Sequence, residues 1–365
     1  MNYQHWFGIT DGRFGYGSMV NGFLNNVPKG VKLSPRASVA VHMGVPFVIK
    51  GFLEGQHRVN FTMWETTEIH PRFIPWLPQY DQIIVPCEHN VELFSRHHRN
   101  VVRVPLGVDG KVWRSQKRTE NPRFRIHAGG SLWKRKGLDL VVEACKRLPF
   151  EHELHIKLAP HAKDHPDLSG IPNVTFYRDW MTQEQQVEWF NLADLWVAPA
   201  RGEGFGLMPA QAIACGIPTI ITATSGQKEF SHLATGVVSH RPVRSGGPGK
   251  WDEADVSELR DMIVDHHDRL IAHRLIAADN AKRMVDEFSW EKASKALVDA
   301  LPQGVLLKEE KFNPVHIEMP MRVNRRITSQ INNDTYKFEP GITYTVNEGV
   351  FQVLWDAGYV VKEQV

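Results

Sequence analysis

Three glycines at alternate positions, Gly202, Gly204 and Gly206, enclose Glu203 and Phe205 and lead into a helix-forming run from Leu207 to Cys215. Alternate glycines let the backbone turn tightly and leave its N–H groups uncovered. The first N–H groups of the helix have no acceptor within it. Pro209 falls in the first turn, where its missing N–H costs nothing, and Gly216 and Pro218 stop the helix. Uncovered amides at a helix N-terminus attract an anion, and Glu203 stands at the rim. The apolar run just before it, residues 193–200, has the length of a buried parallel strand. The whole reads as strand end, glycine turn and short helix, built to meet a phosphate or a carboxylate. Taken alone, the same pattern serves equally well to reverse the chain.

Other residues of chemical promise are scattered. Gly15-Tyr16-Gly17 follows a strand predicted over 5–10 and precedes a helix over 19–24; a lone G-x-G fits a phosphate loop and a tight βα turn equally. Glu65, in Trp64-Glu65-Thr66, closes a strand predicted over 58–63, at the end where open α/β sheets place ligands. It can equally cap the next helix. His42, His57, His89, His97 and His98 lack the spacing of a metal site, so no metal is assigned. Lys111, Arg114, Lys117, Arg118, Arg123 and Arg125 crowd one irregular passage, either a solvated linker or a strip that tracks an anionic backbone.

These residues need a frame, and the sequence supplies one. Its 365 residues suffice for two domains, and 42% hydrophobic with 23% charged residues is ordinary for a globular chain. The net charge of +2 gives no global field for nucleic acid or membrane. Three well-separated cysteines, Cys87, Cys145 and Cys215, point to a reducing compartment rather than a disulfide framework. The first ten residues lack a signal sequence, so a cytoplasmic location is expected. Strands are predicted over 46–49, 82–85, 101–104, 124–130, 154–158, 174–177, 195–198 and 219–222. Helices are predicted over 72–80, 91–98, 138–148, 182–192, 253–270 and 272–287. The alternation predicts doubly wound parallel sheets. Residues 245–250 read as a mobile surface loop. Thr182 and Gln185 have capping-box spacing.

The Glu203 stretch resembles the donor motif of retaining GT-B glycosyltransferases, E-G-F-G-L followed by E-A-M-A-C-G-x-P. Glu203, Gly204-Phe205-Gly206-Leu207, Ala214-Cys215-Gly216 and Pro218 match it. Arg135-Lys136-Gly137-Leu138-Asp139-Leu140 resembles the same family's r-K-G-x-d-L, Val104 to Asp109 its interlobe linker, and Phe288-Ser289-Trp290-Glu291 its terminal helix that crosses back to the first lobe. The resemblance implies an α/β GT-B fold: an acceptor lobe at 1–107, a nucleotide-sugar lobe at 108–304 and a small appendage at 305–365. It implies that Lys136 holds the donor diphosphate, and Arg135 or Lys134 is available to supply the second charge. The amides of Gly204, Phe205, Gly206 and Leu207 assist, and Glu203 binds hydroxyls of the transferred sugar. Gly15 and Gly17 face the cleft, and Glu65 reaches the sugar or acceptor from the first lobe.

Two departures matter. The second motif glutamate is Gln211, which implies weaker ribose binding, and Ser131 stands where an arginine is common. No tightly bound cofactor is implied; the co-substrate is a nucleotide-diphosphate sugar, UDP favoured over GDP. The tail, with Tyr336, Phe338, Pro340-Gly341, Tyr344 and Val346, resembles a module of tailed-phage proteins and implies a phage-encoded enzyme acting in the host cytoplasm. The acceptor expected on that ground is a hydroxymethylated pyrimidine, such as 5-hydroxymethylcytosine, in double-stranded DNA. Aromatic residues near the first loop, among them Tyr16, are available to a base. Virion proteins, a surface glycan, or a catalytically inactive sugar-nucleotide binder are the alternatives. The oligomeric state is not legible.

Overall fold

The computed structural model describes residues 1–12, 15–46, 52–117, 121–130, 134–160 and 167–307, with the segments 319–322, 327–331, 334–339 and 343–346. The first unit contains β1 (Asn2–Gly8), α1 (Gly15–Leu24), β2 (Val31–Leu33), β3 (Val39–Met43), β4 (His57–Phe61), β5 (Gln82–Val85), α2 (Glu88–Phe94) and β6 (Val101–Arg103). Its six strands are all parallel in the order β2-β1-β3-β4-β5-β6. Every residue of β3 and of β5 is buried, as continuous apolar runs in a sheet covered on both faces require.

The second unit contains β7 (Phe124–Gly129), α3 (Leu138–Cys145), β8 (His152–Lys157), β9 (Val174–Tyr177), α4 (Gln183–Asn191), β10 (Leu195–Ala198), α5 (Leu207–Ala214), β11 (Thr219–Thr222) and β12 (Gly236–Val238). The strands are again parallel, ordered β12-β11-β10-β7-β8-β9. The chain winds outward on one side from β7 and on the other from β10. Their carboxyl ends therefore flank the crevice where such sheets bind ligands. The Thr182 capping box is formed, with Gln185 N–H 3.2 Å from the threonine Oγ1 and the glutamine side chain accepting from Thr182 N–H at 2.8 Å. The two doubly wound sheets give the α/β, GT-B architecture expected from the sequence.

Beyond β12 come a hairpin, β13 (His240–Arg244) and β14 (Lys250–Ala254), then α6 (Val256–Asp268), α7 (Leu270–Glu287) and α8 (Trp290–Asp299). Helix α8 returns to the first unit. Ser289 caps it, and the Trp290 ring stands edge-on to Phe23 at 5.3 Å. Trp290 fills the space a side chain on Gly22 would need. One apolar core consequently runs from Trp6, Phe23 and Phe61 of the first unit through Trp290 to Trp196 and Phe205 of the second. In the tail, β15 (Met319–Arg322) pairs antiparallel with β18 (Thr343–Val346), and β16 (Ile327–Ile331) with β17 (Asp334–Phe338).

Several expected elements differ. No strand was expected at β2 or β3; of the strand predicted over 46–49, residues 47–49 lie outside the described residues. The helix expected over 72–80 is a 3-10 helix, Ile74–Gln79, because Pro75 and Pro78 lack the N–H groups that an α-helix needs. Helix α2 starts at Glu88, three residues before its predicted start. Residues 245–249 form the tip of a docked hairpin. Residues 348–357, whose sequence reads as a short helix ended by Gly358, lie outside the described residues.

Candidate functional site

The crevice at the β7 and β10 carboxyl ends gathers four charges. From the β7–α3 turn come Arg135 and Lys136; from the β10–α5 turn comes Glu203. The Lys136 ammonium bonds Glu203 Oε1 directly, and Arg135 Nη1 lies 3.4 Å from Glu203 Oε2 and donates to the Gly202 carbonyl at 2.8 Å. The fourth charge crosses from the first unit: Glu65 Oε1 is 3.8 Å from Arg135 Nη1. Two cations and two carboxylates thus meet at the interlobe surface.

Glu203 is only 6% exposed. Burial pushes its carboxyl up, but the charges of Lys136 and Arg135 outweigh this and hold it below the usual range. Lys136 is shifted down, first by burial and then by Arg135, against the opposing pull of Glu203. The Glu203 backbone is fixed as well: its N–H donates to Ser225 Oγ at 2.8 Å, and its carbonyl accepts from Gly226 N–H at 2.9 Å. Ser225 itself has φ +44°, a left-handed conformation that non-glycine residues rarely adopt, held here beside the buried turn.

The glycine turn has a second use that only the tertiary structure reveals. A side chain on Gly202 would strike the Glu65 carbonyl, and one on Gly204 would strike Met63. The turn is bare because the first unit lies against it. Tyr16, between Gly15 and Gly17, sets that surface: its hydroxyl is 3.2 Å from Thr62 Oγ1 and accepts from Met63 N–H at 3.2 Å. Gly15 and Gly17 lie within the first turn of α1, with Gly17 pressed on the Asp11 backbone. Gly17 is thus committed to packing, while Gly15 is exposed with open space around it. Phe205 faces the core between Phe230, at 5.4 Å, and Phe288, at 6.1 Å, so only its backbone is left for a ligand. Leu207 opens α5, and Gln211 stands half-buried on its second turn.

Sequence reasoning missed Arg201. Its guanidinium grips Asp139 of α3 through both nitrogens at 2.7 Å, reaches Glu253 of β14 at 2.9 Å and donates to the Lys134 carbonyl. Its own N–H donates to the Arg135 carbonyl at 2.7 Å. The fork ties the cation-bearing turn, the Glu203 turn and the hairpin into one unit. Arg201 opens the same sequence stretch as Glu203, but its partners lie 62 and 52 residues away, beyond any local signal.

One grouping of metal-ligand type occurs among the described residues, Asp265 with His266 and His273. His266 Nδ1 meets the Met262 carbonyl at 2.7 Å and Nε2 the Thr235 hydroxyl at 2.8 Å, while His273 Nε2 bonds Asp265 at 2.7 Å. These bonds knit the α6–α7 junction. No helix among the described residues is long and apolar enough to cross a membrane.

Comparison with known proteins gives this geometry a context. HepE of Anabaena, solved in complex with UDP and glucose, superposes with a TM-score of 0.60 over 82% of this chain and 98% of its own, at 12% identity. WaaG, a glycosyltransferase of lipopolysaccharide biosynthesis, gives 0.55 over 81% and 98%, at 14% identity. These likenesses concern the fold. In sequence, the D-inositol 3-phosphate glycosyltransferase of Paenarthrobacter aurescens strain TC1 is 26% identical over 238 residues, 59% of this chain and 55% of that protein. The chain spans about half the length of the curated relatives it matches. Residues 88–297 match the family described as family 4 glycosyltransferase in conflict systems, and the chain belongs to that family.

Proposed function

We propose that this chain is a retaining glycosyltransferase that moves a sugar from a nucleotide-diphosphate sugar to a hydroxyl. The observation that carries the proposal is the meeting of Arg135, Lys136 and Glu203 at the N-terminus of α5, in the crevice between β7 and β10. A diphosphate there receives two cations and the free amides of a helix end, the groups needed to stabilise its charge as it leaves. Exchange of Lys136 and Arg135 from the Glu203 carboxylate to the diphosphate frees that carboxylate to accept from sugar hydroxyls. The acceptor oxygen then bonds to the anomeric carbon as the bond to the diphosphate breaks, and the leaving phosphate oxygen takes the acceptor proton on the same face. Glu65 lines the first-lobe side and orients sugar or acceptor. UDP-sugars are the favoured donors, supported by the neighbours solved with UDP.

For the acceptor we propose the hydroxymethyl group of a modified pyrimidine in duplex DNA. The support is the resemblance of the tail to phage proteins and the basic residues Arg96, Arg99 and those of 111–125. Virion proteins or surface glycans become the acceptors to test if DNA fails. The other reading is a binding protein without turnover, favoured by Gln211 in place of the motif glutamate. Thermal shift with a panel of UDP- and GDP-sugars, followed by donor hydrolysis without acceptor, separates the two. Stabilisation with hydrolysis supports the transferase, stabilisation without hydrolysis the binder, and no stabilisation by any nucleotide sugar overturns both.

A further inference from the structure

The β13–β14 hairpin is bound into both halves of the site. On one side Asp252 N–H donates to the Arg201 carbonyl at 2.9 Å, Glu253 holds the Arg201 guanidinium, and Trp251 lies against Gly202. On the other, Lys250 N–H donates to Thr67 Oγ1 at 2.9 Å, Thr67 N–H donates to the Lys250 carbonyl at 3.2 Å, and Gly249 presses on the Glu68 backbone. Thr67 is two residues from Glu65. The tip is shaped by Ser245, whose Oγ accepts from Gly247 N–H at 3.2 Å and is 3.0 Å from the Gly249 carbonyl. The tip lies against Thr67 and Glu68 of the first lobe, while β14 behind it meets Gly202 and Arg201 of the second.

The charge placed there is unusual. Arg244 and Lys250 are directly opposed across the antiparallel pair, and both are exposed. Like charges in that position repel and weaken a hairpin. Neither forms an ion pair with a carboxylate among the described residues, although Arg241, earlier on the same strand, has Glu253 at 3.7 Å. A third cation joins them: Arg96 of the first lobe donates to the Thr67 carbonyl at 3.3 Å. Glu68 is the exposed carboxylate of the same loop. An anion lying across Arg244 and Lys250 removes their repulsion, and Arg96, bonded to the same Thr67 that pairs with Lys250, adds a cation on the first-lobe side.

We propose that the hairpin tip, with Arg96, reads the phosphodiester backbone of the acceptor and sets the acceptor hydroxyl against the sugar. The proposal rests on the glycosyltransferase reading above and assigns the acceptor-determining contact to the hairpin. The bridging between Arg201, Glu253 and Thr67 gives this contact a fixed distance to the donor site. With a net charge of only +2 on the chain, such recognition must be local.

The test is binding of the full chain to a 20-base-pair DNA duplex across a salt series, for wild type and for Arg244→Gln/Lys250→Gln. Each lost phosphate contact lowers the slope of log affinity against log salt by about 0.9, so the double variant should lose about 1.8 of slope and on the order of tenfold in affinity. UDP binding to each protein, read by calorimetry, checks the donor site separately. Unchanged duplex affinity and slope in the double variant overturn the proposal. So does wild-type protein that binds an Asp/Glu-rich peptide or neutral dextran and ignores the duplex. Should the double variant unfold, Arg96→Gln with Arg244→Gln reads the same slope loss without touching Lys250, and unchanged slope there also overturns it. Absence of UDP binding in the wild type, with salt-dependent duplex binding intact, counts instead against the glycosyltransferase reading.

Discussion

A carboxylate 6% exposed, bonded by an ammonium and a guanidinium, is the centre of the account. Such an arrangement is a weak stabiliser, since desolvation offsets most of the attraction. On the proposed reading, its use is to keep cations fixed where a leaving diphosphate develops charge. Lys136→Ala and Glu203→Ala should therefore each lower transfer by about a hundredfold, the scale of one preorganised charge contact. Initial-rate kinetics check this, and wild-type turnover in both variants would place the donor site elsewhere. Glu203→Gln carries a sharper signature. Burial already lowers the Lys136 ammonium, and Glu203 is the group that pulls it back up. Without that carboxylate Lys136 loses its proton at a lower pH. The alkaline limb of the rate profile should move toward neutrality in Glu203→Gln, and an unmoved limb would separate Lys136 from catalysis. Gln211→Glu should tighten UDP binding, because a charged acceptor replaces a neutral one on α5, and calorimetry reads the change.

At the scale of elements, position is set by Arg201. Replacing it with Lys keeps the charge and loses the fork onto Asp139, so the β7–α3 turn and the hairpin lose their common tie. Arg201→Lys should cost about 2 kcal/mol in stability and weaken UDP binding, measured by urea unfolding and by calorimetry. A variant with wild-type midpoint and affinity would make the network ornamental. The elements themselves were largely legible. Strands β5, β10 and β11 fall on the predicted residues because a strand inside a doubly wound sheet, covered on both faces, reads as a short, largely apolar run. The hairpin was not legible. Its residues are polar and glycine-rich, the pattern of a loop, and what makes them strands is backbone pairing with one another and with Arg201 and Thr67. The Glu203 stretch was visible because its chemistry is contiguous. Arg201's role was invisible because its partners come from two distant elements, and Tyr16 was noted only as an aromatic residue near the first loop, its anchoring of Met63 being a tertiary contact.

For the molecule as a whole, buried histidines fix an acid limit. Burial, followed by the neighbouring His273 and Arg269 charges, brings His266 down to about 4 against the bond its ring N–H donates to the Met262 carbonyl and the pull of Asp265. His127 is held far below its ordinary value by burial, then by the His155 and Arg125 charges. A lowered histidine takes its proton first in the unfolded chain. Stability is thus complete above about pH 6.5 and is lost as pH falls toward 4, by about 3 kcal/mol from His266 alone. Urea midpoints at pH 7.5, 6 and 5 should fall in that order, and the fall should be smaller in His266→Gln. A midpoint that rises on acidification would contradict the buried neutral state. Because one core runs through both lobes and α8, this acid loss should appear as a single transition.

The central claim is that Arg135, Lys136 and Glu203 at the α5 N-terminus hold a nucleotide diphosphate. Calorimetric titration of UDP into wild type and into Lys136→Ala, at equal melting temperature, tests it most directly. The account predicts saturable one-site binding in the wild type and affinity weakened by at least about tenfold in the variant, the loss of one charge-assisted contact. Equal affinity in the two proteins, or no binding of UDP or GDP to the wild type, would contradict it.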